Sequence, residues 1–371
     1  MTTTASSALK PISLASGYGN FATPETVVAR VRQQLEKLPL SVGSTEGLPE
    51  LRAALVARYH GQGAGSVTAA NIVVTPGTKT ALFLLLSAVL QPGDEVLVPT
   101  PNWFGFGELV ARAGGTLRTL PLSATDGYAL TPETLQAALT PRTRLLIITN
   151  PNNPAGRVYS RPELAALLAV TRQFPQLWVL SDEIYDGIRF GPEPVPTLPS
   201  FPDPLEQHLV VNGFSKSLAL AGWNVGYLVA PVAVAQACTA RQFATGGALA
   251  VLSQQAALAA TEATSSITET LCAGLQANRQ LLLDFLATLP GALPHLPTGT
   301  YYAFPDLRAF LDSALPLPEA SAALVMRLRE AGVEVVDGAT CGAPGFVRLS
   351  YAVAETDLRE ALRRLQQVLR F

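Results

Sequence analysis

The sequence predicts an α/β protein: a mainly parallel sheet covered by helices on both faces, followed by a smaller α+β module. Three observations carry that expectation. Between residues 71 and 229, short apolar, β-branched runs alternate with helical stretches, the pattern of strands buried on both sides. Beyond residue 253 the pattern changes to long helices and short, separate strands. Of the 371 residues, 48% are apolar and only 15% charged, well under the roughly 25% charged share of ordinary globular chains. So little charge calls for a large core, a buried subunit interface, or both. The length suits two domains.

Taken in order, Pro24 to Leu38 reads as a helix, with Thr23 as N-cap and Pro24 at the first helical position. A loop leads to a second helix over Pro49–Tyr59, with Leu51, Leu55 and Tyr59 on one face. Strands are predicted at 71–75, 95–98, 116–120, 144–149, 177–180, 208–211 and 225–229. Helices are predicted between them at 78–90, 103–113, 135–139 and 161–173. Two long helices follow, 253–261 and 267–289, the second closed by Pro290-Gly291. The smaller module comprises strands at 300–304, 333–336 and 346–350 and helices at 320–330 and 357–369. Leu358, Leu362, Leu365 and Leu369 line one face of the last helix. Three segments result: 1–40, whose helix is expected to pack on the small module; 41–275, the large domain; and 276–371, the small one.

Composition also excludes classes. A net charge of −2, with no stripe of Lys and Arg, argues against nucleic acid. Three scattered cysteines imply no disulfide framework, and with three histidines they give no metal-ligand spacing. No apolar run approaches the roughly 18 residues of a membrane span, and the first residues lack a signal-peptide core. A soluble, cytoplasmic protein is the expectation.

Ligands of open α/β sheets bind at the carboxyl ends of the strands. Those ends carry Pro76-Gly77-Thr78-Lys79, Pro99 to Trp103, Asn150-Pro151-Asn152-Asn153-Pro154, Ser181-Asp182-Glu183-Ile184-Tyr185 and Asn212-Gly213-Phe214-Ser215-Lys216. A lysine, an aspartate, a tyrosine, amides, an indole and a helix start thus converge on one edge. That set suits a lysine-tethered aldehyde cofactor with an anionic tail.

From about Ser16 to the C-terminus, the motifs TNPNNPAG, SDEIY, NGFSKSLALAGW and FVRLSYA stand in the order seen in the fold-type I pyridoxal 5′-phosphate (PLP) enzymes of the class I/II aminotransferase family. The chain resembles that family. The stretch PGTKTALFLLLSAVLQPGDEVLVPTPNWFGF most resembles its prokaryotic aspartate/prephenate branch. Any one motif is short; five in order are specific. The resemblance implies a seven-stranded-type sheet, a homodimer, and an amino-acid aminotransferase working between an L-amino acid and a 2-oxo acid. It also implies roles. Lys216, Asp182 and Tyr185 would be catalytic: Schiff-base lysine, partner of the pyridine nitrogen, and donor to the ring oxygen. Gly77, Thr78, Ser215 and Lys79 would surround the phosphate together with Asn224, Trp103 would stack on the ring, and Asn153 would bind its oxygen. Gly17, Asn153 and Arg348 would bind substrate, Arg348 through its α-carboxylate. Tyr18, Phe21, Phe104, Phe106 and Tyr301 are candidates for an apolar side-chain pocket.

The sequence departs from the family around the phosphate. Where the motif GWR-x-GY places an arginine, this chain reads GWNVGY, with Asn224. Val42 stands where a tyrosine normally reaches the neighbouring subunit's phosphate, and a usually polar stretch reads ATGGALAVLSQ. In the prokaryotic branch a lysine in the place of Lys79 is associated with the substrate's distal carboxylate; here it is also available to the phosphate. Two further readings therefore stand beside the aminotransferase: a PLP enzyme diverting the Cα carbanion to a lyase, cyclase or decarboxylase reaction, and a cofactor-weak or non-catalytic homologue. A nicotinamide or triphosphate-binding fold is excluded, because neither G-x-G-x-x-G nor G-x-x-x-x-G-K-[ST] occurs after a strand.

Overall fold

The structure, a computed structural model, describes residues 10–37, 40 and 42–370. The chain enters through a two-residue strand, β1 (Ile12–Ser13), and helix α1 (Glu25–Leu35); α2 is Pro49–Gly61. The large sheet follows: β2 (Ile72–Thr75), β3 (Glu95–Thr100), β4 (Thr116–Pro121), β5 (Thr143–Thr149), β6 (Trp178–Asp182), β7 (His208–Gly213) and β8 (Gly226–Val229). Their order across the sheet is 2-8-7-6-5-3-4. Only β8 runs antiparallel to its neighbours, so six carboxyl ends and the start of β8 share one edge.

The apolar residues of each strand alternate between two cores, as a pleat with period two requires. Val73, Val96, Leu145, Leu180, Leu209 and Leu228 face α3 (Thr78–Val89), α4 (Phe106–Arg112) and α7 (Val232–Thr245). Val74, Leu97, Leu146, Val179, Val210 and Tyr227 face α2, α5 (Pro132–Ala138), α6 (Arg161–Thr171) and α8 (Val251–Glu262). Helix α9 (Thr264–Ala287) runs unbroken from this core, through Ile267, into a separate one through Leu271, Leu275, Leu282 and Leu286. That second core holds α10 (Leu317–Glu330), α11 (Glu355–Val368), β9 (Tyr302–Ala303), β10 (Val333–Glu334), β11 (Val336–Asp337) and β12 (Val347–Ser350). No helix among the described residues is long and apolar enough to cross a membrane.

Several expectations need correction. Helix α1 does not pack on the small module: its buried Val27 belongs to the core of α2 and α8. The N-terminal element that joins the small module is β1, paired in parallel with β10, with Leu14 in the small core. Pro24 precedes α1 with an extended ψ of 141°, and Thr23 is not its cap; the Thr23 hydroxyl accepts a hydrogen bond from the Trp223 indole at 3.3 Å. The expected end at Leu38 lies outside the described residues, and α1 ends at Leu35. α4 starts at Phe106 rather than Trp103, and α5 starts earlier than expected because Thr131 caps it, accepting from the Thr134 N–H. The run 333–336 divides between β10, which meets β1, and β11, which meets β12.

Candidate active site

The shared edge of the sheet opens into a cavity of about 340 Å³, closed from above by the small module and the N-terminal segment. Every residue expected to be catalytic or to bind cofactor or the substrate carboxylate lines it, whereas Phe21, Phe106 and Tyr301 of the expected apolar pocket do not. Asp182 is the last residue of β6, Lys216 lies three beyond the end of β7, and Asn153 and Trp103 follow β5 and β3. Gly77 is the N-cap of α3, with Thr78 and Lys79 in its first turn; Asn224 comes two residues before β8, beside Ser215 on the wall. β12 of the small module brings Arg348, and the N-terminal segment brings Gly17.

Hydrogen bonds tie these parts together. Arg348 donates from Nη1 to Asn153 Oδ1 (3.0 Å) and from Nη2 to the Ala15 carbonyl (2.8 Å), while its buried Nε has no partner. The Gly17 carbonyl accepts from Lys216 Nζ (2.6 Å), Tyr301 OH (2.7 Å) and Tyr302 OH (3.2 Å). Tyr302 also meets Tyr185, hydroxyl to hydroxyl, at 2.8 Å, and its ring lies 4.3 Å from the Arg348 guanidinium carbon. Lys216 Nζ sits 3.5 Å from the Tyr18 ring centroid.

Burial sets the charges. Asp182 is only 8% exposed, and loss of solvent pushes its carboxyl up to about 6, against the pull of the Ile184 N–H and Lys216. Lys216 is pushed down to about 7, first by burial and then by Arg348, with Asp182 opposing. Burial likewise holds the Tyr185 hydroxyl well above its ordinary range. A buried acid and a buried amine, each displaced toward neutrality, are what a site for proton transfer requires.

The end of the cavity at the start of α3 has a different texture. Gly77 has φ of +80°, and a Cβ there would overlap Asn224 Oδ1, so the carboxamide lies directly on the helix start. Gly226 is equally constrained, since its Cβ would meet Thr78 N at 2.5 Å. Asn224 is itself left-handed, at φ 51° and ψ 49°. Lys79 is exposed, with Nζ 5.7 Å from the Trp103 ring centroid.

Comparison with known proteins decides the family: the sequence pattern described as "Aminotransferase class I and II" matches residues 10–365. The chain belongs to the class I and II aminotransferases. It is 36% identical to an aspartate/prephenate aminotransferase of Thermus thermophilus, over 96% of this chain and 91% of that one. To the aspartate/prephenate aminotransferase of Cereibacter sphaeroides it is 33% identical, over 96% and 90%. Among solved structures it resembles the Rhizobium meliloti aspartate aminotransferase, with a TM-score of 0.90 and 30% identity over 97% and 91%. This aminotransferase therefore uses pyridoxal phosphate, as its class does, and acts on amino acids and 2-oxo acids.

The apolar pocket is where sequence reasoning erred most. Tyr18 and Phe104 line the cavity, but Phe106 is 1% exposed in the core, edge-on beneath Trp103 at 5.2 Å. Phe21 and Tyr301 stand behind the wall, 5.8 Å apart, and Tyr301 meets the site through its bond to Gly17 and its ring contacts with Tyr185 and Tyr302. Of the two adjacent tyrosines the one that lines the cavity is Tyr302, which went unread. The strand was legible; which of two adjacent tyrosines faces inward is a one-residue choice of face.

Proposed function

We propose that this cavity is the seat of amino transfer, with Lys216 attaching the cofactor aldehyde, Asp182 holding the proton of the ring nitrogen and Arg348 gripping the substrate α-carboxylate. One observation carries the reading: Lys216, Asp182 and Arg348, brought by β7, β6 and β12, converge on one cavity, where the first two are displaced toward neutrality, to about 7 and about 6. Asp182 forms no ion pair among the described residues, so a protonated ring nitrogen fits it. Pyridoxal phosphate, when bound, supplies the electron sink that lets a proton leave the substrate Cα.

The chain's own residues do the rest. Lys216, displaced down to about 7 and so about half neutral near pH 7, offers a lone pair at Nζ for attack and afterwards for carrying the Cα proton. It must release the Gly17 carbonyl to do so, and Tyr301 keeps that carbonyl hydrogen-bonded. Asn153 Nδ2 has no hydrogen-bond partner among the described residues and remains a donor for the ring oxygen, in the cavity that the Tyr185 hydroxyl also lines. The unpartnered Nε of Arg348 is satisfied by a carboxylate accepting two parallel bonds. Trp103 covers the ring, and the Gly77 and Thr78 N–H groups with Ser215 receive the phosphate at the start of α3.

Titration with PLP should raise a visible absorption band that Lys216→Ala abolishes. Adding an amino acid should discharge that band and yield one equivalent of 2-oxo acid. Release of ammonia with the band intact would point to a diverted carbanion instead. We also propose a homodimer, supported by Val42 and Phe243, 93% and 74% exposed beside a groove lined by Gly43, Arg52 and Ala240. Sedimentation at twice the chain mass is expected; a monomer at micromolar concentration contradicts it.

A further inference from the structure

The cavity is short of positive charge. Among the described residues lining it, the cations are Lys79, Lys216 and Arg348. Arg348 is bonded to Asn153 and Ala15 at the amino-acid end, and Lys216 is the nucleophile. Among the described residues Lys79 alone of the three has neither a hydrogen bond nor an ion pair; its ammonium lies 5.7 Å from the centre of the Trp103 ring and repels Lys216. It stands in the first turn of α3, two residues past Gly77. On the other side of Gly77 the wall is Asn224, which brings a carboxamide and no charge.

Two anions compete for that lysine. A phosphate monoester carries close to two negative charges at neutral pH, and a dicarboxylic substrate would add a distal carboxylate. The phosphate is the more highly charged of the two, stays through the catalytic cycle, and sits at the helix start that carries Lys79. The rest of the lining near Lys79 and Trp103 includes Tyr18, Leu82, Phe104 and Val336, none of which brings a positive charge to a carboxylate. An anion desolvated against such a wall without a partner is costly.

We infer that Lys79 is the counter-charge of the cofactor phosphate, and that the substrate pocket, to which the described residues of this chain then offer no further cation, takes amino acids with an uncharged, apolar side chain. The inference rests on reading this cavity as the cofactor site, and it sets this chain apart from relatives named for aspartate.

The test measures PLP and pyridoxal affinity from the visible band in wild type, Lys79→Met and Asn224→Arg, and single-turnover discharge by aspartate and phenylalanine. Lys79→Met should weaken PLP by about tenfold or more, the worth of one charge-assisted hydrogen bond, and leave pyridoxal within about twofold. Phenylalanine should discharge the wild-type band at least about tenfold faster than aspartate, a difference of the size set by one unpaired polar group. Asn224→Arg, which returns a guanidinium beside Gly77, should tighten PLP and shrink the Lys79→Met loss. Unchanged PLP affinity in Lys79→Met overturns the proposal, as does a wild-type preference for aspartate that this variant removes. If the affinities follow Lys79 as stated yet no amino acid discharges the band, the phosphate assignment stands, and it is the amino-transfer reading that fails.

Discussion

The two ends of the cavity are built by different means. At the ring end, charged and polar side chains are buried and tied to one another: Arg348 to Asn153, Tyr185 to Tyr302, and both Lys216 and Tyr301 to the Gly17 carbonyl. Three separate parts of the chain meet there, the large sheet, β12 with β9, and the N-terminal segment. At the proposed phosphate end the groups on offer are backbone N–H groups, the Ser215 hydroxyl, a carboxamide and one exposed lysine. A buried, mutually bonded set cannot lose a member without leaving another unsatisfied. Backbone and exposed groups carry no such constraint. The contrast supports placing the proposed chemistry at the first end and leaving anchoring, the weaker demand, to the second.

The largest expected effect breaks the ring end outright: Lys216→Ala should abolish covalent capture of pyridoxal, read as absence of the visible band at saturating cofactor. Asp182→Asn keeps the shape and removes the charge; kcat should fall by about a thousandfold, on the scale of removing a preorganised electrostatic group, while PLP affinity falls far less. At the phosphate end, Gly77→Ala would set a Cβ against Asn224 Oδ1 at a φ of +80°. Such a left-handed residue costs about 1–3 kcal/mol, and the variant should lose PLP affinity but keep its pyridoxal affinity. Equal losses for the two ligands would show that the ends are not separable. Tyr302→Phe should be milder, about three- to tenfold in kcat, since it removes one hydroxyl from a chain of bonds to Tyr185 and Gly17.

The smallest effect is a pH shift. Only neutral Lys216 attacks an aldehyde, and its amine is displaced down to about 7 by burial and by Arg348. Pyridoxal capture should therefore rise with pH around a midpoint near 7, rather than near the ordinary 10.5 of lysine. Arg348→Leu removes a depressing charge, so the midpoint should move up; a fixed or lowered midpoint contradicts the electrostatic account.

Much of this was legible in the sequence because strand ends are legible. Apolar runs such as Leu145–Ile148 and Val179–Leu180 alternate between the two cores, and the polar residues after them fall on one edge. What the sequence hid is non-local. β1 is two residues long, carries no period to read, and exists only because β10, near the far end of the chain, pairs with it. That pairing carries Ala15 and Gly17 to Arg348 and Lys216. Helix α1 was assigned to the wrong core for a related reason: an amphipathic stripe states that a partner is needed and does not name it. Tyr302 was missed because Tyr301 and Tyr302 differ only in which face of a short strand they occupy.

The measurement that tests the contrast most directly is the ratio of wild-type affinities for PLP and pyridoxal. With one lysine and backbone donors as anchor, the account predicts a ratio of about ten- to a hundredfold, the worth of one charge-assisted bond. A ratio of about ten-thousandfold or more would mean that the phosphate end is as strongly built as the ring end, and the central contrast would be wrong.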